Sequence, residues 1–289
     1  MIKPNPEPRN GESLRGFLDG FSVETTPQAA LRANHADFLP PDTQVYLTHL
    51  AKDTLEDIAA AVGKISGEGM MPVPHIAARN IRNIKSLEKY IKLLHQKYGV
   101  RKMLLIGGSA QAPAGPFEAS LDVLKTGVFE QCGIQDIAFA GHPECTPDFD
   151  NQTAIKALKD KISYCEKHGL QASILTQFLF KAAPVIQWEN SLREQGIYVP
   201  VKVGLAGPTR PSQLIRYARA CGVGPSMRVL TRNPFNFVRY FSRPYNPGSM
   251  LESLEDYCAN NPRSSLNNPP HFYALGGVPQ LAAWLKSLS

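Results

Sequence analysis

Several things this chain lacks narrow its chemistry. It has five cysteines in 289 residues, at 132, 145, 165, 221 and 258, widely spaced and odd in number. No CxxC pair occurs, so neither a disulfide framework nor a thiolate zinc site is expected. No run of about 18 apolar residues exists, which excludes a spanning helix of the usual length. Neither a Walker loop nor a GxGxxG turn is present. No histidine pair has HxH or HxxxH spacing and carboxylates near the histidines are few, so no metal is expected. The polar, Pro-rich start, MIKPNPEPRNGESLRGF, has no apolar signal segment. It reads as a disordered or extended lead-in over residues 1–18, and a cytoplasmic location follows as the expectation. The net charge is +6, but the basic residues are scattered through 79–85, 156–167, 210–219 and 228–243. Without a basic face interleaved with aromatics, no nucleic-acid partner is expected. No membrane partner is expected either.

What the chain does have is alternation. Eight short apolar runs lie at 20–25, 44–49, 71–77, 102–108, 136–142, 171–177, 199–207 and 270–275. Amphipathic stretches at 53–66, 82–98, 117–131, 151–168, 184–195, 211–221, 249–259 and 278–288 separate most of them. Strands alternating with helices argue for parallel pairing, and eight units in this length suggest a single α/β domain over 19–289, a (β/α)₈ barrel. In that fold the chemistry sits at the carboxyl ends of the strands. Six runs end in a polar residue there: Glu24, Thr48, His75, Ser109 just past its glycine pair, His142 and Gln177.

Each of these admits two readings. Glu24 is either a desolvated general acid or a strand-end glutamate paired with a Lys or Arg. Gly107, Gly108 and Ser109 open either a ligand-approaching loop or a plain tight turn. His75 and His142 serve a cofactor or the neighbouring backbone. Gln177 orients a heteroaromatic ring or braces the structure behind it. Cys145 reads as a spectator thiol. The loop 107–116 and the aromatic, basic segment 224–248 are long enough to suggest function, the latter with a helical part near 234–240.

Taken in order, FSVETTP, VYLTHL, VPHIAAR, AGHPECTPD, LKDK with ILTQFLF, and PHFYALGG resemble segments of the methylenetetrahydrofolate reductase family. The resemblance runs from about residue 21 to 275 and marks a short, divergent member. It implies an FAD-binding barrel that interconverts 5,10-methylenetetrahydrofolate and 5-methyltetrahydrofolate with NAD(P)H as electron donor. Its partners would be tetrahydrofolate derivatives and NAD(P)H, and its assembly a homo-oligomer. Carried across, Glu24 is the general acid. Thr48, His75, Gly107, Gly108, Ser109, Ala119, His142, Thr146, Asp148 and Lys161 fall at FAD contacts. The Lys161 match requires a helical insertion between it and the TQF segment. Gln177 and Gln213 fall at folate contacts, and Tyr217 where an aromatic covers the stacked ligand. The chain departs from the family's pattern in four places. The Arg-Gly-Asp after strand four is Gly107-Gly108-Ser109, the tyrosine before the Pro-Glu pair is His142, the arginine after the last strand is Gly277, and strand seven reads VGLAGP. The lost arginine and aspartate leave open a flavin-free folate-dependent transfer protein, or a non-catalytic folate-binding subunit.

Overall fold

A computed structural model describes residues 11–145, 150–220 and 244–288. Eight parallel strands close in sequence order: β1 Ser22–Thr25, β2 Gln44–Leu47, β3 Met71–Ala77, β4 Lys102–Ile106, β5 Asp136–Gly141, β6 Gln171–Leu179, β7 Val201–Ala206 and β8 His271–Tyr273. The seam lies at β1, which pairs with β2 (Glu24 opposite Tyr46) and with β8 (Glu24 opposite Tyr273). All eight expected strands are present, and the single (β/α)₈ barrel is the fold.

Helices wrap the outside: α1 Gly11–Leu18, α2 Pro27–Arg32, α3 Leu55–Gly67, α4 Ile84–Tyr98, α5 Ser120–Leu124, α6 Val128–Gln131, α7 Asn151–His168, α8 Ala182–Glu194, α9 Pro211–Ala220, α10 Gly248–Asn260 and α11 Val278–Ser287. Three depart from expectation. The extended lead-in is instead helical over α1, whose partners include α10. The first crossover, left without a helix, holds α2, started by Thr26 capping Ala29 N and by Pro27 at the first helical position. The helix expected at 117–131 is two pieces. Gly127 at φ 73° breaks it, and the Thr126 hydroxyl donates to the Val123 carbonyl just before. The seventh crossover carries both α9 and α10. Residues 1–10, Cys221 and most of 224–248, including the stretch near 234–240, lie outside the described residues. No helix among those described is long and apolar enough to cross a membrane.

Apart from β6, the strands alternate inward and outward. Val23, Val45, Met103, Leu105, Ile137, Phe139, Val203 and Leu205 face the helices and form the main core. Tyr46, Val73, Leu104, Ala138 and Leu175 point inward and fill the barrel's waist. Below this apolar layer the inward positions are polar, with Lys102, Asp136, Ser173 and Lys202 lining a cavity of about 220 Å³. Above it they are polar again, at the mouth.

One strand is irregular. The register of β6 against β7 shifts between Leu175 and Phe178, a bulge that re-aims the side chains there. Gly204 of β7 makes this possible. Its N–H donates to Thr176 Oγ1 at 2.9 Å, and the Tyr273 hydroxyl donates to the Thr176 carbonyl at 2.9 Å. A methyl group at 204 would overlap that carbonyl oxygen and lie 2.6 Å from Tyr273 Cε2. Gly204→Ala is therefore expected to cost about 1–3 kcal/mol, the range for overpacking a tight site. Denaturant unfolding of the two proteins checks this, and equal midpoints would show that the bulge is not clamped.

Candidate active site

Glu24 is the centre of the mouth. It sits near the carboxyl end of β1, with 17% of its side chain exposed, and its Oε2 is 3.5 Å from His75 Nε2 and 3.9 Å from His271 Nε2. No described Lys or Arg pairs with it, which removes the surface ion-pair reading. Burial raises its carboxyl to about 8. Burial also keeps the histidines neutral: His75 is lowered to about 3, with a smaller contribution from His49, and His271 is lowered well below its ordinary value. The proton at neutral pH therefore resides on the carboxyl, which is the form a general acid needs.

The surrounding residues fix this arrangement. The Tyr46 ring stands edge-on to His75 and His271, with centroids 6.1 and 4.8 Å away, and the Tyr273 ring meets His271 edge-on at 4.9 Å. His271 Nδ1 is held by Ser22 Oγ at 2.9 Å. Behind His75, His49 Nδ1 accepts from Ala77 N at 3.2 Å, and burial lowers His49 to about 4. Thr48 joins the cluster through its backbone, which donates to the Thr25 carbonyl. Thr48 Oγ1, His75 Nε2 and His271 Nε2 are buried without a hydrogen-bond partner. Three such polar atoms at the mouth are the feature expected where a polar ligand completes the set.

The loop after β4 adjoins β3. Gly108 has φ 91°, and a side chain there would press on Ala77 Cβ at 3.1 Å. The backbone conformation thus accounts for glycine at 108. At Gly107 nothing lies within 4 Å of an added Cβ. Arg79 holds the loop: its N–H donates to the Gly107 carbonyl, its carbonyl accepts from Ala114 N, and its guanidinium donates to the Ala110 and Glu118 carbonyls at 3.1 and 3.0 Å. Ser109 follows in the same loop. Ala119 caps α5, its N–H donating to Asp122. The His142 carbonyl, just past β5, accepts from Cys145 N, and Cys145 adopts φ 61°.

The remaining expected residues divide. Gln177 lies in the β6 bulge. Gln213 of α9 accepts from the Thr209 hydroxyl at 3.1 Å, and Tyr217 packs with Phe178, Ala206 and Leu214 in an aromatic cluster beside the mouth. Thr146 and Asp148 lie outside the described residues. Lys161 is not brought to the mouth. It is buried behind β5, over the outward-facing Phe139 ring at 5.1 Å and 3.5 Å from Ser120 Oγ. The residues that follow it, 162–168, are helical and continue α7 without a break. His271, Tyr46, Ser22, Tyr273 and Arg79 were missed. The period-two alternation could have found four of them: Ser22 shares a face with Glu24, Tyr46 with Thr48, and His271 with Tyr273.

No family model matches the chain. Among solved structures it is similar to the 3-dehydroquinate dehydratase from Aquifex aeolicus VF5, at 13% identity over 68% of this chain and 85% of that one, with TM-score 0.38. It is also similar to a D-hydantoinase, at 12% identity over 83% of this chain and 51% of that one, with TM-score 0.43. At these values the likenesses assign neither activity nor ligand.

Two predictions follow from this geometry. Because the Glu24 carboxyl is raised above its unfolded value, the folded chain keeps a proton that the unfolded chain releases. Stability is therefore highest below the ordinary carboxyl range and falls as pH rises toward about 8. Glu24→Gln removes that slope. Relative to the parent, the variant should gain on the order of a few kcal/mol between pH 5 and pH 8. Denaturant titrations at both pH values measure this, and parallel pH profiles would place the proton elsewhere. In the loop, Gly108→Val should destabilise by about 1–3 kcal/mol through backbone strain, whereas Gly107→Val should stay within about 0.5 kcal/mol of the parent. Thermal melts compare the two, and the reverse order would contradict the backbone assignment.

Proposed function

We propose that this barrel is a flavin-dependent oxidoreductase that interconverts 5,10-methylenetetrahydrofolate and 5-methyltetrahydrofolate, with NAD(P)H as electron donor. The observation that carries the reading is the Glu24 carboxyl at the mouth, 3.5 Å from His75 and 3.9 Å from His271 with no described Lys or Arg beside it, where burial pushes it up to about 8. The order of sequence segments resembling the methylenetetrahydrofolate reductases supports it. The donor set fits an aromatic, hydrogen-bonding cofactor: Thr48 Oγ1 and His75 Nε2 lack hydrogen-bond partners, and nothing lies within 4 Å of an added Cβ at Gly107. Thr48, His75, Gly107, Gly108, Ser109, Ala119 and His142 would hold FAD, with Thr146 and Asp148 of the same segments. Lys161, behind β5, is not among them. When bound, the flavin supplies hydride exchange between the nicotinamide and the folate carbon.

The chain's own part is proton management and orientation. Glu24 donates its proton to the folate ring nitrogen as the methylene bridge opens. His75 and His271, both neutral, leave the carboxylate no competing positive charge to pair with tightly, so it recovers a proton readily. Gln177 and Gln213 offer amides to the folate's heteroaromatic ring, and Tyr217 an aromatic face. Replacement of Arg-Gly-Asp by Gly107-Gly108-Ser109 favours one other reading, a flavin-free folate-dependent transfer protein. Visible flavin absorbance in the purified protein separates the two, since a colourless chain that FAD does not reconstitute supports the second.

Glu24→Gln should leave flavin reduction by NAD(P)H nearly intact and slow the folate half-reaction by about 10²-fold or more. Stopped-flow traces of each half-reaction measure this, and equal damage to both, or to neither, would overturn the assignment.

A further inference from the structure

A column of polar side chains threads the barrel past its apolar waist, on the β7–β8–β1 side. At the floor, Lys202 Nζ donates to Ser22 Oγ and to Gln44 Oε1, each at 3.4 Å. Ser22 Oγ is 2.9 Å from His271 Nδ1, and His271 Nε2 faces Glu24 Oε2 across 3.9 Å. Ser22 and His271 are fully buried. Lys202 borders the floor cavity, where Lys102 is already paired with Asp136 at 2.9 Å. Among the described residues Lys202 itself makes no ion pair.

The chemistry of the first member gives the column a direction. An ammonium has three donors and no acceptor. Ser22 Oγ therefore accepts from Lys202, and its own hydrogen needs an acceptor. His271 Nδ1 is the one within reach. Were Nδ1 protonated, the hydrogen of a fully buried hydroxyl would be stranded without an acceptor, a costly arrangement for a buried donor. With Nδ1 accepting, a neutral imidazole carries its proton on Nε2, the atom that faces Glu24.

We propose that Lys202 is a positioning residue for Glu24: acting through Ser22 and His271, it fixes the imidazole tautomer that presents an N–H to the carboxyl. The functional side of this rests on the reading of Glu24 as proton donor. Once Glu24 has released its proton, an N–H directed at it stabilises the carboxylate, whereas the opposite tautomer would aim a lone pair at it. The floor lysine thus makes Glu24 a stronger acid than burial alone would. The other groups around the column do not supply this. His75, 3.5 Å from Glu24, is neutral through burial, as is His49 behind it. Tyr46 meets His271 with a ring edge, and the Tyr273 hydroxyl is committed to the Thr176 carbonyl. Lys102 is held by Asp136, which also accepts from Ser173. Burial, followed by the Lys102 charge, lowers Lys202 itself to about 8, so the column's donor end weakens as pH rises past that value.

The test is the tautomer, read from the ¹⁵N shifts of His271 in the full-length protein at neutral pH. The parent should show a protonated Nε2. Lys202→Met, and separately Ser22→Ala, should show Nδ1–H or a mixture, since each breaks the same link from a different side. A ¹³C titration of the Glu24 carboxyl should move up by about one pH unit in Lys202→Met. A protonated Nδ1 in the parent, an unchanged tautomer in both variants, or an unmoved Glu24 titration would overturn the proposal. None of these measurements requires turnover or bound flavin. Their failure is therefore distinct from failure of the half-reaction test, which leaves the tautomer result standing.

Discussion

One largely buried carboxyl at the seam of a closed barrel governs the rest of the mouth. β1 is the strand on which closure depends, flanked by both the second strand and the last. A side chain on its inner face near the carboxyl end therefore meets neighbours from the two ends of the sequence: Tyr46 on one side, Tyr273 and His271 on the other. An ion in that setting is expensive, and the inexpensive remedy is to keep the proton. The histidines follow the same rule with the opposite sign and stay uncharged. Two histidines thus lie within 4 Å of the carboxyl, and the three groups together carry no net charge near neutral pH.

The fold was legible because its signal was repeated. Eight apolar runs bounded by turns, with amphipathic stretches between most of them, leave few architectures open, and each strand lies where its run lies. The elements that escaped were short. α2 has six residues, too few for periodicity, although the Thr-Thr-Pro-Gln start announces its cap. α1 was hidden in a polar, Pro-rich context. At 117–131 the apolar spacing persists across Gly127, so periodicity missed a break that the backbone makes there.

The site was legible in part, for a definable reason. Polar residues that end apolar runs stand out, so Glu24, Thr48 and His75 could be found, and the barrel brings them together. Ser22 and Tyr46 lie two residues further back and His271 stands second in the last run, all inside runs that read as core, and only strand register makes them neighbours. Lys161 failed differently. Matching a short motif places a residue in sequence, whereas helix phase decides which side of β5 its side chain reaches, and α7 turns this lysine toward Phe139 and Ser120.

The loop over the mouth shows what kind of change this barrel tolerates. Arg79 holds it through main-chain atoms alone, the carbonyls of Gly107, Ala110 and Glu118 and the amide of Ala114. A clamp that reads only backbone is indifferent to the side chains it organises. The constraint on shape then falls on Arg79, on Gly108 and on Gly115, where an added side chain would overlap the Arg82 and Ile81 carbonyls, and less on the side chains of residues 109–113. The side chains of such a loop can be exchanged without any change in its path, so its surface can be rewritten while its frame stays in place.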